Sequence, residues 1–571
     1  MDRHSPRICL LVLAILGLFL PELVAQQPPA AKSLQAETAR TDWTYRSEVF
    51  PLDLKWRRHL ESNLRWMIAR GRLAPTVSNV PRVALYADAG TNHLLNRNIV
   101  HTLEAEGIRC RVLDRSRIVP PQLRDVEAYV VPGGYSTFQN TATGDRGLLT
   151  IRQFVEGGGR YLGICAGAFM ASRDVLWEEE HFPYPLALFD GTAEGALDHI
   201  APFPTDAGVS LKLTNAGKLR GLTTAAEGQF YYKGGPRFHG GTDFTVLAQY
   251  QDGTAAIISR PYGRGEVVLN GIHYERPSPQ AAADNVNPTA PRAARAVFQA
   301  LLRIKGNSRL AIVKPIDQGL TRWVEVTDLA LEDRLNLEQN LRWMLARTVH
   351  TSATSRSPTV GLFADAGAEH ASMVGITTLL ESNQVPIQAL LHTDLTTSTL
   401  AHFKTIIIPA GDHRILRDTL GEKGQQALAK FVNSGGQFIA ISTGAYFASK
   451  TVRWFQRSWE YPIQFHTGMA EGPLAEVAPW PSYAQVTLQV TEAGMQHGLT
   501  QKLLARCQYH GGPKFVGGEG HQVLARYPDQ SAAIIVKKTG KGQVLLVGVD
   551  ISRITPGTNG SQFLLKLLSP R

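Results

Sequence analysis

The sequence predicts two tandem α/β domains, each built on a mostly parallel sheet. Two observations carry that expectation: a self-similarity at one constant spacing, and an alternation of short apolar strands with amphipathic helices inside each repeat. Ala87-Asp88-Ala89-Gly90 returns as Ala364-Asp365-Ala366-Gly367, with Asp365 lying 277 positions after Asp88. Asn63-Leu64-Arg65-Trp66-Met67 returns as Asn340-Leu341-Arg342-Trp343-Met344 at the same shift. Trp177 and Trp454, Tyr184-Pro185 and Tyr461-Pro462, Glu194-Gly195 and Glu471-Gly472, and Gly234-Gly235-Pro236 and Gly511-Gly512-Pro513 keep that register. A constant shift over so long a span is a tandem duplication. It sets the units at 50–305 and 326–571, joined by a linker at 306–325 in which Leu310-Ala311-Ile312-Val313 is a candidate extra strand.

Within the first unit, Trp56, Leu60, Leu64, Met67 and Ile68 recur on one face of a helix that Gly71 can end. Val83 to Tyr86 is a short apolar strand, followed by a helix near 95–106 and a strand at 108–113. Ala128 to Val131 is a third strand stopping at Pro132-Gly133-Gly134, and helix 146–156 leads to a fourth, Arg160 to Ile164. Strands alternating with helices give a parallel sheet covered on both faces. The stretch 208–270 is richer in strands and turns, with Tyr262-Gly263-Arg264-Gly265 between two apolar runs and Gly540-Lys541-Gly542 at the matching place.

Length and composition agree with this division. A chain of 571 residues exceeds one ordinary core, and 43% apolar with 19% charged residues is a globular balance. The net charge of +10 comes from 59 basic and 49 acidic side chains scattered without long runs, so no nucleic-acid groove is expected. At the N-terminus, Arg3 and Arg7 precede thirteen uncharged residues, Ile8 to Leu20, and a small residue at Ala25. That reads as a signal peptide over 1–25 with a flexible leader at 26–49, hence a secreted or periplasmic protein with no membrane span after cleavage. Cys9 falls inside the signal, leaving Cys110, Cys165 and Cys507, which allow one bridge at most and no disulfide framework.

Gly163-Ile164-Cys165-Ala166-Gly167 follows a strand and opens a helix, the context of a nucleophile elbow. A cysteine there meets a helix N-terminus, which favours the thiolate. The Ala166 N–H faces the same space, and Gly133-Gly134, at the end of a neighbouring strand, offers a second oxyanion donor. Downstream, Asn270-Gly271-Ile272-His273-Tyr274-Glu275 places His273 and Glu275 on one face of an extended segment, so the carboxylate can orient an imidazole aimed at Cys165. No His/Cys/Asp cluster has metal-ligand spacing and no phosphate loop is present, so no metal or cofactor is expected. Asp88 with Asp365, and His93 with His370, sit just after the first strand, where they either bind a ligand or stabilise the turn.

With these residues in view, the Cys165 elbow, the preceding Pro132-Gly133-Gly134-Tyr135, the Tyr232-Lys233-Gly234-Gly235-Pro236 turn and the Gly191-Thr192-Ala193-Glu194-Gly195 segment resemble the class I glutamine-amidotransferase-like superfamily. More narrowly they resemble the domain at the N-terminus of eukaryotic biotin–protein ligases. The resemblance spans Val83 to Glu275 and, more weakly, the second unit. It implies two flavodoxin-like domains, a Cys165–His273–Glu275 triad, and Tyr135 beside the oxyanion site. Ligase chemistry is not expected to carry over, since the two units take up the residues from 50 to 571, and a complete glutamine amidotransferase with an ammonia-receiving synthetase is not expected either.

The shift of 277 places Ser442 at the Cys165 position, and Asp550 and Ser552 at those of His273 and Glu275. Pro132-Gly133-Gly134 becomes Pro409-Ala410-Gly411, with Ala410 expected to narrow the oxyanion site. A serine without its base is inert at neutral pH, so the second unit is expected to keep the fold without the chemistry. The resulting expectation is a cysteine-dependent hydrolase or amidase acting on a small amide or acyl compound. Its rivals are a ligand- or partner-binding protein using the duplicated cleft, and a redox-sensing thiol.

Overall fold

Short β-branched and aromatic runs such as Val83-Ala84-Leu85-Tyr86 form strands because two-sided burial on a pleat suits them. The computed structural model describes residues 52–73, 80–223, 226, 229–277, 292–307, 311, 329–348, 358–552 and 560–568; the signal segment, the leader and most of the linker lie outside them. Of the candidate strand Leu310–Val313 only Ala311 is described, and it belongs to no strand. The first unit opens with helix α1 (Leu54–Leu73), then β1 (Val83–Tyr86), α2 (His93–Ala105), β2 (Cys110–Leu113), β3 (Ala128–Val131), α3 (Ser136–Glu156), β4 (Arg160–Ile164) and α4 (Ala166–Ala171). It continues through β5 (Ser172–Trp177), β6 (Glu180–Pro183), β7 (Phe189–Gly195), β8 (Phe230–Tyr232), β9 (Arg237–His239), β10 (Ala255–Tyr262), β11 (Gly265–Asn270) and β12 (His273–Pro277).

The helix expected over 146–156 begins at Ser136, because its polar first turn hides it and Gly144, at φ 61° and ψ 170°, interrupts it. The sheet runs β2-β1-β3-β4-β11-β10-β9-β7-β5-β6. β1 to β4 and β11 are parallel, the order of a flavodoxin-like sheet, and beyond β11 the sheet continues through antiparallel pairs and one parallel pair, β7 with β5. The carboxyl ends of β1, β3, β4 and β11 therefore open toward one place. That place holds the elbow.

The second unit repeats this sheet in the same order, from Val360–Phe363 at the β1 position to Gly542–Val547 at the β11 position. One strand differs. β12 pairs with β8 in the first unit, His273 opposite Tyr231, whereas among the described residues of the second the matching contact is one bridge between Gln508 and Asp550.

The two units meet through α1 and its copy, Leu331–Thr348, which pack together and share one apolar core containing Leu60, Leu64, Met67, Leu337, Leu341 and Met344. Charged residues cross the contact in reciprocal pairs. Arg65 reaches Asp365, while Arg342 at the matching position donates to both Asp88 oxygens at 2.8 and 2.9 Å. Arg57 lies 3.6 Å from Glu338, and Arg334 lies 2.9 Å from Glu61. Each contact thus has its counterpart with the units exchanged, the hallmark of an isologous two-fold interface. Burial would raise the Asp88 carboxyl, but Arg342 and Arg115 outweigh it and hold it well below the usual carboxylate range. Asp365 is held down in the same way by Arg65 and His392 against the effect of burial. These repeated motifs are interface and turn rather than ligand site. His93 and His370 likewise bond Asn63 and Asn340, at 3.1 and 2.9 Å, behind the turn.

Candidate active site

At the end of β4 the chain turns sharply into α4, and Cys165 takes φ 52° and ψ −107° to make that turn. This is a strained conformation for a residue with a Cβ, of the kind that persists where function requires it. The two flanking glycines are dictated by close approach. A Cβ on Gly163 would lie 2.5 Å from the Gly167 carbonyl oxygen, and one on Gly167 would lie 2.0 Å from the Val131 oxygen. The Cys165 N–H donates to the Asn270 carbonyl at 2.8 Å, which ties the elbow to the end of β11. Its sulfur lies 3.8 Å from the Lys233 carbonyl oxygen, and the residue is 7% exposed.

β12 brings an imidazole and a carboxyl group to the elbow. His273 Nδ1 lies 2.6 Å from Glu275 Oε1, as the alternation of an extended strand predicts. With Nδ1 committed, Nε2 is left for the hydrogen bond to the Cys165 sulfur. Burial would lower the imidazole pKa, but the charges of Glu275 and Cys165 and their hydrogen bonds to the ring outweigh it and raise it to about 10. The imidazole therefore carries its proton between the Glu275 carboxyl group and the Cys165 sulfur. Glu275 is almost fully buried, and its Oε2 has no hydrogen-bond partner among the described residues, so the imidazolium is its main compensation. Asn98 fixes the segment by donating to the Glu275 carbonyl at 3.0 Å.

The predicted oxyanion residues divide in two. Among the described residues, neither the Gly134 nor the Ala166 N–H has an acceptor, and both stand beside the elbow. Gly133 has another role: a Cβ there would lie 2.4 Å from His273 Cε1, so its bareness makes room for the imidazole. Its carbonyl accepts from Asn92 at 3.2 Å, and Tyr135 N–H donates to Gly90 at 2.7 Å, pinning the loop to the end of β1. Tyr135 is 45% exposed, and its ring packs on Phe138 and Trp56.

The second unit shows what each group is worth. Ser442 keeps the strained φ of 52°, but its hydroxyl, 3.3 Å from the His510 carbonyl, meets no imidazole. Asp550 accepts from the Ser552 N–H at 3.0 Å and from its hydroxyl, so it is folded back on its own loop. Ala410 does not narrow an oxyanion site. It stands where Gly133 makes room for His273, and its N–H donates to Ser372 at 3.0 Å. Thr443, replacing Ala166, accepts the Gly411 N–H at 2.9 Å and so occupies the matching oxyanion donor.

All three described cysteines are free thiols. Burial pushes Cys110 well up and Cys507 up to about 12, so neither is a nucleophile. Among the described residues no cluster of three or more His, Cys, Asp or Glu could hold a metal ion, and no helix is long and apolar enough to cross a membrane. A hollow of about 1080 Å3 on the second unit, bordered by Thr359, Lys404, Gly435 and Lys541, lies at the opposite ends of the strands, away from the elbow.

Sequence reasoning missed Asn98, the Lys233 carbonyl and the spacing role of Gly133, since each acts through a contact between distant segments. It also passed over Ser136, although the repeat aligns it with His413 and so displays the exchange.

Comparison with known proteins agrees with this architecture. The family described as "Biotin-protein ligase, N terminal" matches residues 92–325 and 373–556, well over half of the chain. An uncharacterized protein of Chlamydia muridarum (strain MoPn / Nigg) is 31% identical over 215 residues, 34% of this chain and 81% of that one. The biotin–protein ligase of Schizosaccharomyces pombe (strain 972 / ATCC 24843) is 28% identical over 183 residues, 29% of this chain and 28% of the ligase. A crystal structure of a glutamine amidotransferase aligns over its whole length with 39% of this chain, at 19% identity and a TM-score of 0.29.

Proposed function

From the premise that the chain belongs to the family of biotin–protein ligase N-terminal domains, we propose that its first unit is a cysteine-dependent hydrolase or amidase acting on a small amide or acyl compound. The observation that carries the reading is the line Glu275–His273–Cys165 ending beside two uncommitted N–H groups. The Cys165 thiolate attacks the carbonyl carbon, and the carbonyl oxygen takes up the negative charge between the Gly134 and Ala166 N–H groups. As the C–N or C–O bond breaks, the His273 imidazolium gives its proton to the leaving group, and a thioester forms on Cys165. Water then attacks the thioester while His273 takes its proton. The carboxylic acid leaves and the thiolate–imidazolium pair is restored. Glu275 holds the ring and its charge throughout without taking the proton.

A panel of small amides and aryl esters, followed by intact-mass spectrometry, tests this reading. An acyl adduct on Cys165 that turns over in the native protein and is lost in Cys165→Ala supports it. If no member of the panel acylates Cys165 while iodoacetamide labels it readily, the binding-protein reading takes its place. The same proposal places the reaction outside the cytoplasm, from the Arg3–Ala25 segment. N-terminal sequencing of the mature protein checks that; an intact Met1 would remove it.

A further inference from the structure

The second unit seats one of its own rings where the first leaves a place. His413, at the start of the helix matching α3, is 5% exposed. Its ring lies 5.3 Å from Tyr446, 6.0 Å from Trp454, 5.4 Å from Trp459 and 5.8 Å from Tyr461. Its Nδ1 lies 2.6 Å from the Tyr461 hydroxyl. At the shift of 277, the four walls become Phe169, Trp177, Phe182 and Tyr184, all still aromatic, while the ring they enclose becomes Ser136.

The rings on either side of Trp177 keep the spacing of their counterparts around Trp454. Phe169 and Trp177 stand 5.7 Å apart at 72°, against 5.4 Å and 74° for Tyr446 and Trp454. Trp177 and Phe203 stand 5.2 Å apart at 80°, against 5.1 Å and 77° for Trp454 and Trp480. Tyr184 is half-buried where Tyr461 is 1% exposed, and Phe182 is 38% exposed. The Ser136 and Thr137 hydroxyls lie 3.0 and 2.9 Å from the Tyr184 hydroxyl, at the position where the His413 nitrogen meets Tyr461.

This place adjoins the reacting atoms. Ser136 is two residues beyond Gly134, and Phe169 is one helical turn beyond Cys165. Gly234, next to the Lys233 carbonyl that the thiol faces, lies directly under the Trp177 and Phe203 rings, since a Cβ on it would be 3.0 Å from each.

We propose that Phe169, Trp177, Phe182 and Tyr184 form a slot that binds a small heteroaromatic ring, its edge nitrogen meeting the Ser136–Tyr184 hydroxyls. Calling that ring part of the substrate rests on the hydrolase reading; the slot itself does not. Rings prefer such tilted and edge-on aromatic surroundings, and the half-buried Ser136 and Tyr184 hydroxyls keep lone pairs and protons that an edge nitrogen can meet.

The test uses the full chain and imidazole as the probe, followed by saturation-transfer NMR, with pyridine and isobutyramide as competitors. Imidazole should bind, pyridine should compete at least fivefold better than isobutyramide, and Ser136→His should abolish the signal. That variant should still alkylate at Cys165 within about twofold of the native rate, which shows the elbow intact. Phe182→Ala, at an exposed wall, should weaken binding at least threefold and serves if Ser136→His fails to fold. His413→Ser should create a second imidazole site in the other unit. Equal competition by isobutyramide, or binding unchanged in the Ser136 and Phe182 variants, would overturn the slot. No arm requires turnover, so loss of the hydrolase reading would leave a measured ring-binding site, and loss of ring binding would leave the triad untouched.

Discussion

Ala166 and Thr443 occupy one position on two copies of one scaffold, and they do opposite things. Ala166 leaves the Gly134 N–H open, while the Thr443 hydroxyl accepts the matching Gly411 N–H. Gly133 makes room for an imidazole; Ala410 stands where no imidazole comes. Ser136 leaves a ring position open that His413 fills. Both copies still hold a strained elbow, each with φ 52° at the nucleophile position. The lesson is that the fold maintains the elbow, and the surrounding side chains decide whether it can do chemistry.

The sharpest way to break this comparison is to remove both elbow side chains in turn. Cys165→Ala should abolish turnover, by at least about a thousandfold, whereas Ser442→Ala should leave it within about twofold in a steady-state assay. Equal losses with the fold intact would give the second unit a chemistry of its own.

Next in size is a transplant of the plug. Ala166→Thr should place a hydroxyl on the Gly134 N–H and cut kcat about a hundredfold, the worth of one oxyanion donor. Thr443→Ala should leave kcat unchanged. An active Ala166→Thr enzyme would remove Gly134 from the oxyanion role.

Arg342→Met and Arg65→Met each strand a buried aspartate, and each should cost about 3 kcal/mol in denaturant unfolding. Only the first should also slow turnover. Asp88, Arg342's partner, has a carbonyl that accepts the Thr91 N–H, and Gly90 and Asn92 hold the 133–135 loop. If both variants slow turnover equally, the coupling is general loosening rather than this path.

The last expected effect is on pH. His273 carries a folded pKa of about 10 against an ordinary value near 6.5. Its contribution is therefore fully present below about 6.5 and disappears as pH rises through 10. The stability gap between native protein and His273→Gln should narrow over that window. Asp88 and Asp365 have the opposite sign: their contribution is present above the ordinary carboxylate range and is lost only as pH falls through depressed values. Unfolding curves from pH 2 to 10 would show the alkaline slope and the onset of the acid one, and a flat alkaline limb would argue against the imidazolium.

Much of this was legible in the chain because a duplication prints its own alignment. The shift of 277 set the expected units and put Asp550 where the base would be, while the Gly163–Gly167 motif and the His273–Glu275 spacing marked the elbow and its partners. Local rules sufficed there, since each feature lies within a few residues on one strand or turn. Arg65 and Arg342 were visible as repeats, but their meaning depends on helices meeting across the two units. Gly133 looked like a backbone donor because sequence cannot show His273 arriving from the far end of the unit. Ser136 opposite His413 was an ordinary exchange until the four rings around it could be placed.

The crossed arginine–aspartate pairs have a consequence for how such a chain can change. The first unit carries both halves of the lock, Arg65 and Asp88, and the second carries both again as Arg342 and Asp365. Such a surface is complementary to itself, so two separate copies could associate through it, but only at concentrations above their dissociation constant. Joining them end to end fixes the local concentration of each for the other, and dilution no longer parts them. The partnership then asks nothing of the second copy except its lock. Everything at its elbow is free to be rewritten.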